Sequence, residues 1–183
     1  MKNAHNAALR AGFLGVAGAI GIAASGWGGA QEAMPEVVCA AASPLPAELA
    51  SWTSREPLAA AASPAGLAEA QLVIGQAVDA GLQPTRDVTY ALRPEKPGGS
   101  VSHGGLYAFH ITEAGHYRVA LSSAAWIDVV HQGKGLVSTA HGRGPNCSGI
   151  RKIVDFTLDP GDYVLQISAN AADTAALLVT RGS

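Results

Sequence analysis

The feature that most constrains the fold is the period of two in the apolar residues between positions 71 and 180. Short runs there alternate apolar and polar side chains, and glycine, proline or aspartate separates the runs. Because successive side chains of a strand point to opposite faces, this pattern predicts strands with one buried face. Nine closely spaced runs favour two packed sheets over a parallel sheet with crossover helices. The predicted strands are residues 71–74, 88–92, 107–111, 116–121, 126–130, 136–139, 152–158, 162–168 and 175–180.

The predicted fold class is therefore all-β, an antiparallel two-sheet sandwich of jelly-roll type with a short N-terminal helix or strap. Turn residues suggest two hairpins within it. One joins residues 107–111 to 116–121 through Glu113-Ala114-Gly115, and the other joins 152–158 to 162–168 through the Pro-Gly turn at 160–161. In the first hairpin odd positions pair with odd positions, which places His110 opposite Arg118 on the polar side.

The segment before the strands has a different composition. Residues 31–70 are rich in alanine and contain five prolines, which interrupt any long regular element. Leu45, Leu49 and Trp52 share one helical face, so we expect a short helix from Pro46 to about Trp52. We read residues 31–70 as an N-terminal strap and residues 71–183 as the sandwich domain.

Residues 1–30 have the pattern of a secretory signal peptide. Lys2 and Arg10 are followed by an apolar run, and Gly28 and Ala30 occupy the small-residue positions of a cleavage site. A periplasmic or secreted protein is predicted, with no stable membrane span once the signal is cleaved. The whole chain has a formal net charge of −2, and loss of the two basic residues makes it more negative. A nucleic-acid partner is therefore disfavoured.

The chain has two cysteines, Cys39 and Cys147. Two cysteines in an exported protein are expected to form a disulfide, since export leads to an oxidising compartment. The bond would close a loop of about 108 residues, for which chain entropy gives an upper estimate of roughly 4–5 kcal/mol. Lipid modification of Cys39 fits less well because Pro35 and Glu36 precede it, and Cys39 has no neighbouring metal ligand.

Several runs in the strand region resemble a known type of domain. They are LVIGQ at residues 72–76, YAFHI at 107–111, AGHYRVAL at 114–121 and LDPGDYVLQI at 158–167. With these runs the last 110 residues or so resemble bacterial pre-peptidase C-terminal domains, which are small β-sandwiches appended to secreted enzymes. The resemblance implies a binding or secretion module. The acidic clusters with which many such domains bind calcium are not evident here, and no cofactor is predicted.

The whole chain also resembles short exported proteobacterial proteins, some of which bear the name homogentisate 1,2-dioxygenase. That name implies a non-haem iron enzyme, and a metal-dependent dioxygenase is the alternative function. Two His and one carboxylate would be its expected ligands. The sequence offers His103, His110 and Glu113, or Asp128, His131 and His141, although neither set has a diagnostic spacing.

The most unusual stretch for function is residues 126–151. Its glycine-rich loop carries several hydrogen-bond donors and is anchored by the predicted disulfide, as expected of a binding loop. In the competing interpretation it is only a long connection, and Trp126 fills the core. We predict no catalytic residues, because Gly-x-Ser-x-Gly is absent and no Ser-His-Asp order stands out. The leading hypothesis is a non-enzymatic module for an envelope protein, a glycan or a small anion. Its predicted binding residues are Asp128, His131, Lys134, His141, Arg143 and Asn146.

Overall fold

Two β-sheets form the body of the protein, as the sequence predicted. The computed structural model describes residue 39 and residues 44–182, so the predicted signal peptide at residues 1–30 lies outside the described residues. Three short 3₁₀ helices accompany the strands, at Ala47–Thr53, Pro64–Glu69 and Thr85–Asp87. The strands are β1 (Glu56–Ala59), β2 (Ala77–Gly81), β3 (Gln83–Pro84), β4 (His103–Ile111), β5 (Gly115–Leu121), β6 (Trp126–His131), β7 (Lys134–Gly135), β8 (Ala140–Gly142), β9 (Lys152–Leu158), β10 (Gly161–Asn170) and β11 (Thr174–Arg181).

The strands pack as a sandwich of unequal sheets. The six-stranded sheet has the order β1-β2-β11-β5-β9-β8, and the five-stranded sheet has the order β3-β4-β10-β6-β7. Neighbouring strands are antiparallel except for β1 and β2, which are parallel. Long strands fill the middle of each sheet, whereas the outer strands β3, β7, β8 and β1 have only two, two, three and four residues. The alternating pattern therefore matches a sandwich with short edges.

The main core lies between the two sheets. Tyr107, Phe109 and Ile111 of β4 are buried there, together with Leu165 and Ile167 of β10. Phe109 and Tyr163 stack with their ring centroids 5.3 Å apart. These side chains occupy alternate positions along their strands, so one face of each sheet supplies the apolar surface that holds the layers together.

The predicted N-terminal helix exists and covers the outer face of the six-stranded sheet. It is the 3₁₀ helix Ala47–Thr53, in which Leu49 and Trp52 are 1% and 3% exposed. They pack in a second cluster that includes Ala120 and Leu178. The residues next to these two in sequence point into the main core, so the second cluster lies on the opposite face of the sheet. The guanidinium of Arg118 on β5 also binds the helix, through Glu48 at 3.1 Å.

Both predicted hairpins are wrong in their pairing. The strands β4 and β5 lie in different sheets, and so do β9 and β10. Instead β4 pairs with β10 and β5 pairs with β9, so each connection crosses from one sheet to the other. His110 consequently lies opposite Asp162, with His110 Nδ1 2.7 Å from Asp162 Oδ1, and not opposite Arg118.

A tyrosine closes each of these sheet-crossing connections. Tyr117 donates its hydroxyl hydrogen to Glu113 O at 2.8 Å, and Tyr163 donates to Asp159 O at 2.7 Å. A tyrosine near the start of a strand that bonds back to the preceding corner is a known feature of β-sandwiches. Matching odd and even apolar positions could not show that these connections cross between sheets. Residues that face each other across a core alternate in the same way as residues paired in a hairpin.

Three of the nine predicted strands are also wrong: residues 71–74, 88–92 and 136–139 are not strands. For residues 88–92 the cause is the side chain of Gln166, which is fully buried on β10. Its side-chain amide donates to Leu92 O at 2.9 Å and accepts from Leu92 N at 2.8 Å. These two bonds satisfy the backbone of Leu92 without a neighbouring strand.

Strands β1 and β2 had no counterpart among the predicted strands. β1 falls within the alanine- and proline-rich residues 31–70, and its residues Glu56 to Ala59 pair in parallel with Val78 to Gly81 of β2. One proline and three alanines among the nine residues of these segments give them little intrinsic preference for strands. Their pairing depends on contacts with the sheet, which the local sequence does not show.

Candidate functional site

The unusual stretch singled out in the sequence forms one side of the sandwich. After β7, at the edge of the five-stranded sheet, the chain crosses to β8 at the edge of the six-stranded sheet. Leu136 N donates to Val129 O of β6, and Thr139 N donates to Asp155 O of β9, each at 2.8 Å. Residues 136–139 therefore connect the edges of the two sheets, and a depression remains beneath them.

We call this depression the Trp126 cleft. Its volume is about 460 Å³, and Trp126 on β6 is half-buried in its wall. The wall combines apolar side chains with both acidic and basic groups. The lining residues are Glu95, Trp126, Ile127, Asp128, Leu136, Val137, Ser138, His141, Lys152, Val154 and Phe156.

Trp126 is held in place by its polar edge and is flanked by cations. Its Nε1 donates to Asp128 Oδ1 at 2.9 Å. Lys96 Nζ lies 4.8 Å from the ring centroid and Lys152 Nζ lies 5.7 Å from it, both within the range of cation–π interactions. Lys152 Nζ also donates to Ala125 O at 2.6 Å. The indole orientation is thus fixed by contacts on several sides.

Two charged groups of the cleft are kept partly out of water. Burial raises the pKa of Asp128 and the nearby charge of Glu95 adds to the rise, although hydrogen bonds from Trp126 and Gln166 oppose it. Burial also lowers the pKa of Lys152, and the charge of Lys96 lowers it further. Asp128 and Lys152 line the same cleft but form no ion pair with each other in the described structure. Desolvated charges that oppose folding are typical of functional sites.

This electrostatic arrangement predicts that Asp128→Asn stabilises the protein at neutral pH. The folded-state pKa of Asp128 lies above its unfolded value, so its contribution to stability is fully present below the unfolded pKa and is lost as pH rises through the folded pKa. Asparagine keeps an acceptor for Trp126 and has no charge to desolvate. Urea denaturation should show a higher free energy of unfolding for the variant at pH 7 and little difference at pH 3.

Asp173→Asn is the matched control, because Asp173 is exposed on the turn before β11. It should leave the difference between pH 7 and pH 3 unchanged. If Asp128→Asn lowered the free energy of unfolding at pH 7, the ionised Asp128 carboxylate could not be destabilising the folded protein.

A second depression adjoins the first, and we call it the basic cleft. Its volume is about 330 Å³, and His141 and Lys152 line both clefts. Arg143 and Arg151 also line it, and none of its lining residues among residue 39 and residues 44–182 is acidic. In the part of the chain that the structure describes, Arg143, Arg151 and Lys152 form no ion pair. The remaining lining residues are Ala124 and Gly142.

The disulfide predicted from the sequence anchors the next part of the loop. Cys39 and Cys147 are bonded, with their Cα atoms 5.5 Å apart. Trp52 Nε1 of the N-terminal 3₁₀ helix donates to Ser148 O at 3.0 Å. Gly144 packs so closely on Ile150 that a Cβ at residue 144 would lie 2.4 Å from Ile150 Cβ. These contacts fix the position of Arg143 and Asn146, which line a shallow groove beside the disulfide.

His131 and Lys134 lie away from the two clefts. They flank the two-residue turn between β6 and β7, in which Gln132 and Gly133 have positive φ angles of 50° and 74°. His131 stacks on Tyr163 with ring centroids 4.6 Å apart, and its Nδ1 is 2.8 Å from Asp162 O. The position of His131 is therefore explained by its contacts with β10.

Of the six predicted binding residues, the structure brings four close to the clefts. Asp128 lies in the Trp126 cleft, His141 lines both clefts, and Arg143 lies between the basic cleft and the groove of Asn146. Sequence reasoning missed the lining residues that strand β9 and the loop before it contribute. Lys152 begins a predicted strand and Arg151 directly precedes it, and their adjacent positive charges were the available signal. The other residues it missed at the clefts are Glu95, Lys96 and Trp126.

Neither set of iron ligands considered from the sequence is assembled among the described residues. His110 contacts Asp162, and Glu113 forms an ion pair with Arg181. Within residues 44–182 and Cys39, no group of three or more His, Cys, Asp or Glu side chains is arranged to hold a metal ion. Over the same residues, no helix has the length and apolar character needed to cross a membrane.

The fold and the clefts together define a β-sandwich domain with ligand-sized depressions along one edge. Comparison with protein-family models and with curated proteins gave no match. Among solved structures, the chain is similar to the pre-peptidase C-terminal domain of collagenase from Bacillus anthracis. The similarity covers 69% of this chain and 98% of that domain, with 16% sequence identity and a TM-score of 0.38.

Proposed function

We propose that the chain is an exported, non-enzymatic binding domain that holds an anionic ligand in the basic cleft. Export is supported by the signal-peptide pattern of residues 1–30 and by the disulfide between Cys39 and Cys147. In this proposal residues 31–70 serve as the strap that the disulfide ties to the sandwich. The clefts beside the disulfide-anchored loop supply the binding surface.

The observation that carries the proposal is the distribution of unpaired positive charge. Arg55, Arg86, Arg118 and Arg181 each have an acidic partner within 4 Å. By contrast, no acidic residue of the described part of the chain lines the basic cleft, where Arg143, Arg151 and Lys152 lie. An anion bound there would be attracted by these cations without having to displace a carboxylate from any of them. A charge arrangement of this kind favours a site for an anion.

Binding without catalysis is also supported by the side chains at hand. Ser138 and His141 line the Trp126 cleft, yet no hydrogen bond joins them in the described structure. A serine nucleophile is commonly activated by a histidine base within hydrogen-bonding reach, and this pair lacks that contact. The cleft therefore offers recognition groups, and we assign it a binding role.

The proposal predicts that citrate, as a simple polyanion, binds at the basic cleft. In a ¹⁵N–¹H NMR titration, the amides of residues 141–143 and 151–152 and the indole N–H of Trp126 should shift. Arg151→Ala should weaken citrate binding about tenfold, because a charge-assisted hydrogen bond contributes roughly 1.5–3 kcal/mol. Raising the salt concentration should weaken binding further.

Two variants control for the loss of one positive charge elsewhere. Arg86→Ala removes a charge from the exposed helix Thr85–Asp87, and Lys134→Ala removes one from the turn between β6 and β7. Both should leave the citrate affinity within about twofold. Shifts spread over the whole surface, or equal losses in all three variants, would contradict a defined anion site.

A further inference from the structure

We infer that the ligand is an acidic saccharide whose sugar ring lies in the Trp126 cleft and whose carboxylate lies in the basic cleft. This inference rests on the proposed function and names the ligand class of that same site. It follows from the different chemistry of two clefts that share a wall. Their volumes of about 330 Å³ and about 460 Å³ fall within the usual range for small-ligand pockets.

The Trp126 cleft is suited to an uncharged, hydroxyl-bearing group. Asp128 and Glu95 bring two carboxylates to it, and these would repel an anion. Carboxylates accept hydrogen bonds, so they favour a ligand that donates several, as sugar hydroxyls do. The side chains of Leu136, Val154 and Phe156 add apolar surface beside the indole of Trp126. A sugar ring presents both hydroxyl donors and an apolar C–H face.

The basic cleft supplies the complementary half. Arginine and lysine donors line it, and the described residues bring no acidic group to it, which favours a carboxylate. Lys152 connects the halves, since it lines both clefts and its Nζ is 5.7 Å from the Trp126 ring centroid. A carboxylate bound to Lys152 would therefore be about one sugar ring away from the indole. In a uronic acid the carboxylate is attached directly to the ring.

The same arrangement disfavours a uniformly charged ligand. An acidic peptide or a nucleic acid that filled both clefts would place negative charge against Asp128 and Glu95. Lys96, which lies over the Trp126 ring, is exposed and can leave the ring when a sugar takes its place. The ligand that satisfies both clefts is negative at one end and hydroxylated at the other.

Calorimetric titration of the disulfide-bonded protein with three probes of similar length tests the inference. The probes are an aldotriouronate, in which one glucuronate is joined to two neutral xyloses, the neutral trisaccharide maltotriose and the peptide triglutamate. The aldotriouronate should bind at least tenfold more tightly than either of the others. Arg151→Ala should weaken its binding about tenfold, and the control variant Arg86→Ala should not.

The variant Asp128→Asn gives the sharpest test because the two models predict opposite signs. It should weaken aldotriouronate binding about fivefold, since a charged acceptor for the sugar hydroxyls is lost. A site for anions alone would instead bind more tightly once a negative charge is removed. Trp126→Phe, which keeps an aromatic ring in the wall, should weaken aldotriouronate binding and leave the unfolding transition cooperative.

The outcomes separate the two proposals. If citrate and triglutamate bind at the basic cleft as tightly as the aldotriouronate, or if Asp128→Asn strengthens aldotriouronate binding, the saccharide inference is wrong and the anion site stands. If maltotriose binds as tightly as the aldotriouronate, the requirement for an acid group is wrong. If none of these ligands binds, both proposals are wrong.

Discussion

Replacing Phe109 with alanine is expected to lower the free energy of unfolding by about 4 kcal/mol, within the roughly 3–5 kcal/mol range for buried phenylalanine. Phe109 is 2% exposed in the middle of β4, and its ring stacks on Tyr163 of the neighbouring strand β10. Truncation removes apolar area from the core and leaves a cavity between the two sheets. Urea denaturation followed by tryptophan fluorescence would measure the loss.

Val101→Ala is the matched control, because Val101 is 85% exposed in the loop before β4. It should change stability by less than about 0.5 kcal/mol. A double-mutant cycle of Phe109→Ala with Tyr163→Leu should also show coupling of about 0.5–1.5 kcal/mol, as aromatic pairs do. A coupling near zero would contradict the pairing of β4 with β10.

Removing the disulfide by Cys39→Ser with Cys147→Ser is expected to cost about 2–3 kcal/mol, less than the roughly 4–5 kcal/mol of the simple chain-entropy estimate. In the unfolded chain the bond closes a loop with a sequence separation of 108. In the folded chain Leu45 already packs in the cluster that contains Trp52 and Ile150, so the bond closes a loop of about six residues. The loop in the unfolded chain is longer by roughly four doublings, and each doubling adds about 0.6 kcal/mol to the entropic cost of closing a loop.

Urea denaturation of the oxidised protein and of the double variant would give this difference directly. Alkylation and mass measurement would first establish that the oxidised protein carries no free thiol. Adding reductant to the double variant serves as the control and should change nothing. A loss below about 1 kcal/mol would show that the bond adds little to what the N-terminal helix already secures.

The sequence was sufficient to identify the layers of this fold because burial alone sets the alternation. Tyr107, Phe109 and Ile111 had to share a face, whichever strands lay beside them. The helix at Ala47–Thr53 was predicted for the same reason, since Leu49 and Trp52 required one apolar side. Both features depend on interactions that a short window of sequence contains.

Strand pairing could not be predicted in this way, because it depends on which sheet each strand joins. The turns after β4 and after β9 have ordinary hairpin residues, yet both cross between sheets. One local signal was available. Tyr117 and Tyr163 each follow by four residues the carbonyl that they bind, and this spacing marks a tyrosine corner. Gln166, which replaced a strand partner for Leu92, gave no such signal in the sequence.

The candidate site was predicted only in part, for a related reason. Asp128, His141 and Arg143 belong to the continuous stretch that glycines and charges made conspicuous. Arg151 and Lys152 precede or begin β9 and reach the clefts because β8 and β9 pair in the six-stranded sheet. Trp126 was a core residue only in the competing interpretation of this stretch, and in the structure it is half-buried in the wall of the Trp126 cleft. Proximity that arises from sheet order is invisible until the order is known.

The brevity of the outer strands has a consequence for how this domain behaves at high concentration. Each sheet ends on both sides in a strand of two to four residues, so few backbone amide and carbonyl groups point outward in a row. A stray chain therefore finds no template long enough to extend either sheet, which is how natural β-proteins avoid edge-to-edge aggregation. The Trp126 cleft, which β7 and β8 flank, can thus remain open to ligand, while these two strands are too short to pair with a chain of a fibril.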